Sequence, residues 1–229
     1  MGGVQKQLYK KLNSSMGAHA ARALRIVAVD CDHGHLQAVE ALGLPGIKTM
    51  FGRLPDEFPS KEAVGGSASA ILISEVLHFL HGKEIESSIQ SAYDLLVPGG
   101  RLVLSTVSFN FKPFGNEAAR SKMRSTYQAN LVKGLKWPGS DGFDLNALCK
   151  DEIERTTTPE IKEAIARFPQ YIHIIGPREL RQACVDAGFE IEVACLGDHP
   201  GYPAGFTARQ KGEFESTHVV AVKRGSTNN

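Results

Sequence analysis

Ile26-Val27-Ala28-Val29-Asp30 is an apolar run that ends in an acid. Further on, Leu95-Leu96-Val97-Pro98-Gly99-Gly100 leads into a second run, Arg101-Leu102-Val103-Leu104-Ser105. Both runs lack polar alternation, as strands buried on two faces do. An acid at the carboxyl end of such a strand can accept hydrogen bonds from a ribose. The first expectation is therefore a nucleotide-like cofactor held at Asp30, with its chemical identity open at this point.

Working outward, strands and helices alternate. Residues 17–24 read as a short Ala-rich helix, and Arg25 alone separates it from the strand at 26–30. That connection is short, since αβ links usually take about 2–6 residues. A helix follows from His35 to Leu42, stopped by Gly43 and Pro45. Ile47–Phe51 reads as a strand, 53–56 as a loop, Ala70–Ser74 as a strand, and Lys83–Leu96 as an amphipathic helix with Ile85, Ile89, Ala92 and Leu96 on one side. Pro98-Gly99-Gly100 reads as a turn before a strand at 102–107. After Val107 the pattern weakens, with helices expected at 116–133 and 159–167 and a loop at 137–142. It returns as a helix at 177–187, a strand at 189–196 and a last strand at 218–223. Alternation predicts a parallel, doubly wound α/β sheet with its strand ends gathered on one edge. The two final strands, joined without helical periodicity, predict an antiparallel finish.

Composition narrows the function classes. The chain has 229 residues, 42% hydrophobic and 22% charged, ordinary for a globular domain. With 26 Lys and Arg against 25 Asp and Glu, the net charge of +1 gives no general reason to expect nucleic-acid binding. Cys31, Cys149, Cys184 and Cys195 form no Cys-x-x-Cys pair, and three fall in or beside apolar segments. This points to core thiols in a reducing cytoplasm rather than to zinc or disulfides. No uninterrupted apolar run suits a membrane span, and the N-terminus has no apolar signal core.

Several pieces, in this order and spacing, resemble class I S-adenosylmethionine-dependent methyltransferases. They are Val27-Ala28-Val29-Asp30, Ile73-Ser74-Glu75-Val76-Leu77-His78-Phe79-Leu80, Leu95-Leu96-Val97-Pro98-Gly99-Gly100-Arg101-Leu102, Gly176-Pro177-Arg178-Glu179-Leu180-Arg181 and Ala187-Gly188-Phe189-Glu190-Ile191. The resemblance covers roughly 14–107 and 172–224. It implies one domain over 1–229, with a mostly helical lid or substrate-recognition insert at 109–168. It also implies a mostly parallel seven-stranded sheet of order 3-2-1-4-5-7-6, strand seven antiparallel. The implied cofactor is S-adenosylmethionine, leaving as S-adenosylhomocysteine. Asp30 matches the acid that holds the ribose hydroxyls, Cys31 the residue beside the adenine, Leu54 a backbone contact, Ser74 and Glu75 the methionine and methyl region, and Gly17 the last glycine of the first loop. The chain departs from the family there: Leu12-Asn13-Ser14-Ser15-Met16-Gly17-Ala18-His19 keeps only Gly17. Close passage of backbone past a ligand favours glycine.

For Asp30 the alternative is a carboxylate that caps the next helix, a task Asp32 can also perform. Cys31-Asp32-His33-Gly34-His35 reads as a helix cap rather than a metal site, because neighbouring residues at such a turn diverge. Glu75 and His78 stand three apart and would share a face on a helical turn. There His78 could serve as a base, against the plainer reading of local hydrogen bonding. Across 109–140, Lys112, Arg120, Lys122, Arg124, Lys133 and Lys136 face the single acid Glu117. Bases among aromatics can grip an acidic or aromatic small molecule, or form a solvated helix face. Three function classes stay open: methyl transfer to a small or medium-sized acceptor, a non-catalytic binding module of the same fold, and an NAD-dependent oxidoreductase.

Overall fold

A computed structural model describes residues 25–108, 110, 117–140, 143–144, 159, 171–197 and 216–225. The expected helix at 17–24, that at 159–167 beyond residue 159, and Gly17 lie outside the described residues. The chain divides into two compact units, with the boundary between Gly66 and Ser67.

In the first unit, β1 (Ile26–Asp30) pairs in parallel with β2 (Ile47–Phe51), so that Asp30 faces Phe51 across the ladder. Between them runs α1 (His33–Glu40), which buries Leu36 and Val39. Asp32 is its N-cap and accepts a hydrogen bond from the His35 amide at 3.1 Å. That bond holds the Asp32 carboxyl below its usual range. Gly43, at φ +58°, takes the left-handed turn that follows the helix. A short helix, α2 (Lys61–Val64), is capped by Ser60 and closed by Gly65 at φ +75°.

The second unit is built on β3 (Ala68–Ser74), β4 (Leu96–Val107), β7 (Phe189–Gly197) and β8 (Ser216–Lys223), in the order β3-β4-β8-β7. Only β3 and β4 are parallel; β8 runs antiparallel to both of its neighbours. A 3-10 turn (Leu77–Phe79) follows β3 and leads to α3 (Gly82–Leu95). Beyond β4 come α4 (Glu117–Val132), the small antiparallel pair β5 (Phe143–Asp144) and β6 (Tyr171–Ile172), and α5 (Pro177–Asp186). The core joins Ile85, Ile89 and Ala92 of α3, Leu102 and Leu104 of β4, Leu180 of α5, and Val219 and Ala221 of β8, all fully buried. Burying each large aliphatic side chain contributes about 1.5–3 kcal/mol. Cys184 is in this core, where burial pushes its thiol up to about 12, whereas Cys31 and Cys195 are exposed and so are not core thiols.

Two expectations need correction. Among the described residues the strands form separate two-stranded and four-stranded sheets, and the larger is mixed rather than mostly parallel; no seven-stranded sheet is present. The pieces 3-2 and 4-5-7-6 of the expected order are nonetheless recognisable in β2-β1 and β3-β4-β8-β7. Pro98-Gly99-Gly100 does not precede the strand but lies within β4. Leu96 pairs with Ala68 and Arg101 with Ala70, so 97–100 bulge opposite Ser69. Gly99, at φ +78°, makes the bulge possible.

Candidate functional site

Each unit carries its own group of candidate residues. In the first, Asp30 closes β1 with a side chain 38% exposed. One carboxylate oxygen accepts the Asp32 amide at 2.9 Å, and the other accepts His35 Nδ1 at 3.1 Å. A carboxylate offers about four acceptor positions, so these bonds orient Asp30 without saturating it. Exposed Cys31 follows it. The His33 ring stacks on Phe51 at 4.6 Å and 19°. After β2, the Gly52 amide bonds to the Asp30 carbonyl at 3.1 Å, and the Arg53 amide to Glu57 Oε2 at 2.9 Å. A Cβ at Gly52 would lie 2.8 Å from the Glu57 carbonyl oxygen and 3.2 Å from Val29 Cγ1, so glycine is needed for this close approach. Leu54 follows, half-buried.

In the second unit, β3 ends at Ser74, and Glu75 is the only non-glycine residue at positive φ (+58°) among the described residues. Such a conformation costs of order 1–3 kcal/mol and persists only where neighbours impose it. Here the end of β4 does so. The Glu75 amide donates to the Ser105 carbonyl at 2.9 Å, and the Ser105 hydroxyl donates to Glu75 Oε1 at 3.2 Å. His78 is buried on the 3-10 turn, with Nδ1 3.2 Å from Thr106 Oγ1 and its ring 4.0 Å from that of Phe79.

No family model matches the chain, and no curated protein does. Solved structures match it. An S-adenosylmethionine-dependent methyltransferase from Mesorhizobium loti is 17% identical, covering 90% of this chain and 83% of its own, with a TM-score of 0.55. Another from Methanosarcina mazei is 15% identical, covering 87% and 82%, with a TM-score of 0.54. The fold is that of the class I S-adenosylmethionine-dependent methyltransferases.

Within this methyltransferase fold the structure groups Asp30, Cys31 and Leu54 in the first unit, and Ser74, Glu75 and His78 in the second. It does not support the shared helical face expected for Glu75 and His78. Left-handed Glu75 and Val76 at φ −122° precede the helical turn, so the spacing of three does not imply a common face. The bases of 109–140 are also less free than their sequence count implies. Arg120 and Arg124 both pair with Glu117 on α4, and Lys136 pairs with Glu86 at 2.9 Å and Asp186 at 3.1 Å.

Sequence reasoning missed a cluster of rings in the second unit. His173 is fully buried, donating its amide to the His78 carbonyl at 2.8 Å and placing Nδ1 3.0 Å from the Leu80 carbonyl. Burial lowers its pKa to about 4, so the ring is neutral at pH 7. Its Nδ1 is then the donor, and Nε2 is a buried acceptor without a partner among the described residues. Trp137 meets His173 edge-on at 5.4 Å and donates Nε1–H to Glu86 at 2.8 Å. Nearby, the Tyr127 hydroxyl reaches both oxygens of buried Glu179, at 3.0 and 2.9 Å. The start of α5 at Pro177 was visible in the sequence; these partners, from distant segments, were not.

Proposed function

We propose that the chain transfers a methyl group from S-adenosylmethionine to a small or medium-sized acceptor, with 109–168 as the acceptor-recognition segment of one methyltransferase domain. The shared fold supports this reading, and the carboxylate at the end of β1 carries it. Asp30 fits a ribose: it is oriented by two hydrogen bonds, is partly exposed, and retains acceptor capacity for hydroxyl donors. Cys31 would border the adenine, and Leu54 would offer it a backbone contact. Gly17 is assigned to the methionine end, as are Ser74 and Glu75 at the end of β3. When bound, adenosylmethionine supplies an electrophilic methyl group on a sulfonium.

This chain's residues then have three tasks. Asp30 accepts the ribose hydroxyls. Glu75, fixed by Ser105 and held in an uncommon backbone conformation, presents a carboxylate of set direction. Orientation and exclusion of water can supply much of the rate. His78 remains a proposed base; its contact with Thr106 orients the ring.

The test is titration calorimetry with S-adenosylhomocysteine on the full chain and on Asp30→Ala. Loss of charge-assisted bonds worth about 1.5–3 kcal/mol should weaken binding about tenfold to a hundredfold. No binding by the correctly folded parent removes the methyltransferase reading. Equal binding by parent and variant removes the role given to Asp30. Tight binding with no methyl transfer to any acceptor moves the chain to a non-catalytic binding module.

A further inference from the structure

Asp30 is held on both oxygens by its own neighbours in sequence. Oδ1 accepts the Asp32 amide at 2.9 Å, and Oδ2 lies 3.1 Å from His35 Nδ1. An ionised carboxylate only accepts, so the proton of the second bond is on His35 Nδ1. His35 is itself fixed. It stands third in α1, and its amide donates at 3.1 Å to the Asp32 carboxylate that caps the helix. The ring therefore reaches back from the helix to the strand end, and the two bonds together set the plane of the Asp30 carboxylate. The two donors differ in one respect. A peptide amide cannot change its charge, whereas an imidazole can.

Both charge states of His35 keep the bond, but they leave Asp30 a different acceptor. A neutral ring with its proton on Nδ1 takes one lone pair and leaves the carboxylate its full negative charge. A protonated ring turns the contact into an ion pair, so that hydroxyl donors meet a carboxylate whose charge is already balanced. Hydrogen bonds to an ionised group are the stronger kind, and protonation removes part of that advantage. The side chains of His35 and Asp30 are 41% and 38% exposed, so solvent screening keeps the effect modest. The other charged groups on α1 and the strands packed against it hold their charge or are engaged elsewhere. The His35 and Gly34 amides hold the Asp32 carboxyl below its usual range, which keeps it ionised. Glu40 of α1 accepts the Thr49 hydroxyl, and Lys48 of β2 donates to the Ala63 carbonyl at 3.4 Å. His33, stacked on Phe51, is the other imidazole of the first turn and serves as a control.

We infer that His35 is a positioning residue for the cofactor's ribose and makes cofactor binding proton-linked, tighter with a neutral ring and weaker with a protonated one. The inference rests on the methyl-transfer reading, in which Asp30 accepts the ribose hydroxyls.

S-adenosylhomocysteine is titrated by calorimetry at about pH 8 and about pH 5.5, on either side of the ordinary imidazole range near 6.5. The full chain is compared with His35→Gln, His35→Leu and His33→Gln, each checked for folding by circular dichroism. The parent should bind about fivefold more weakly at the lower pH. Near the middle of the range binding should release protons, so its heat should vary with the ionisation enthalpy of the buffer. His35→Gln keeps a neutral donor that takes no proton. It should bind within about twofold of the parent at the higher pH and lose both effects. His35→Leu, without a donor, should bind about fivefold more weakly at the higher pH. His33→Gln should keep the parent's profile. A flat profile in the parent overturns the inference, as does parental affinity in His35→Leu, a parental profile in His35→Gln, or a profile lost in His33→Gln. In each of those cases S-adenosylhomocysteine still binds and the methyl-transfer reading stands. A folded parent that binds none at either pH removes that reading, and the inference with it.

Discussion

Replacing Gly82 by Ala should destabilise the second unit, although alanine is the better helix former. A Cβ at Gly82 would lie 2.3 Å from Trp137 Cδ1 and 2.6 Å from Cγ and Nε1. The indole has little freedom to retreat: Nε1 is tied to Glu86, the ring abuts His173, and Trp137 is only 7% exposed. Forcing a methyl into such packing costs about 1–3 kcal/mol. The gain in helix propensity is at most about 1 kcal/mol, and less at the first helical position. The net expected loss is about 1–2 kcal/mol. Urea unfolding followed by circular dichroism measures it, and Trp137 emission should shift to the red as the indole is displaced. Combining the change with Trp137→Leu should recover much of the loss, because the smaller side chain leaves room; a cycle of the four proteins measures that coupling. A Gly82→Ala protein as stable as its parent, with unchanged emission, would refute the argument.

Tyr127→Phe leaves the buried Glu179 carboxylate without its hydroxyl donor and should cost about 2–3 kcal/mol in urea unfolding; a loss below about 0.5 kcal/mol would mean that Glu179 is satisfied otherwise. The folded-state pKa of His173, about 4, lies below the 6.5 expected when unfolded. The unfolded chain therefore binds more protons between these values. The contribution of His173 is fully present above pH 6.5 and is lost as pH falls toward 4, by at most about 3 kcal/mol. His173→Asn should flatten the stability profile in that window, and an unchanged slope would assign the titration to other groups.

Much of the fold was legible because its signals are local. Ile47–Phe51 reads as a strand to the residue, and α3 and α5 declare themselves through apolar spacing and, for α5, Pro177 at its start. Pro98-Gly99-Gly100 misled because the same glycine conformation serves a turn and a bulge; only the pairing of Leu96 with Ala68 and Arg101 with Ala70 distinguishes them. Asp30 was legible as a strand end and Asp32 as one of two candidates for the helix cap, because both positions are set within five residues; the structure gives the cap to Asp32. The ring cluster was not legible. Trp137 and Glu86 are 51 residues apart, and His173 and Leu80 are 93 apart. Glu75 illustrates the same limit at short range: spacing alone could not reveal the left-handed backbone that removes it from the helical turn.

The position of β8 has a consequence for how this protein is made. The strand that comes last in the chain order of the described sheet sits between β4 and β7, not at an edge. During synthesis, β3, β4 and β7 all leave the ribosome before it. Until residues 216–223 emerge, β4 and β7 lack the strand that joins them, and each carries a row of unpaired amides and carbonyls beside apolar side chains. Local pieces such as α3 can form early, but the sheet closes only over a long sequence separation, which slows folding and prolongs exposure. A nascent chain stalled just short of β8 is therefore the form of this protein most prone to pairing with a neighbour and most in need of a chaperone.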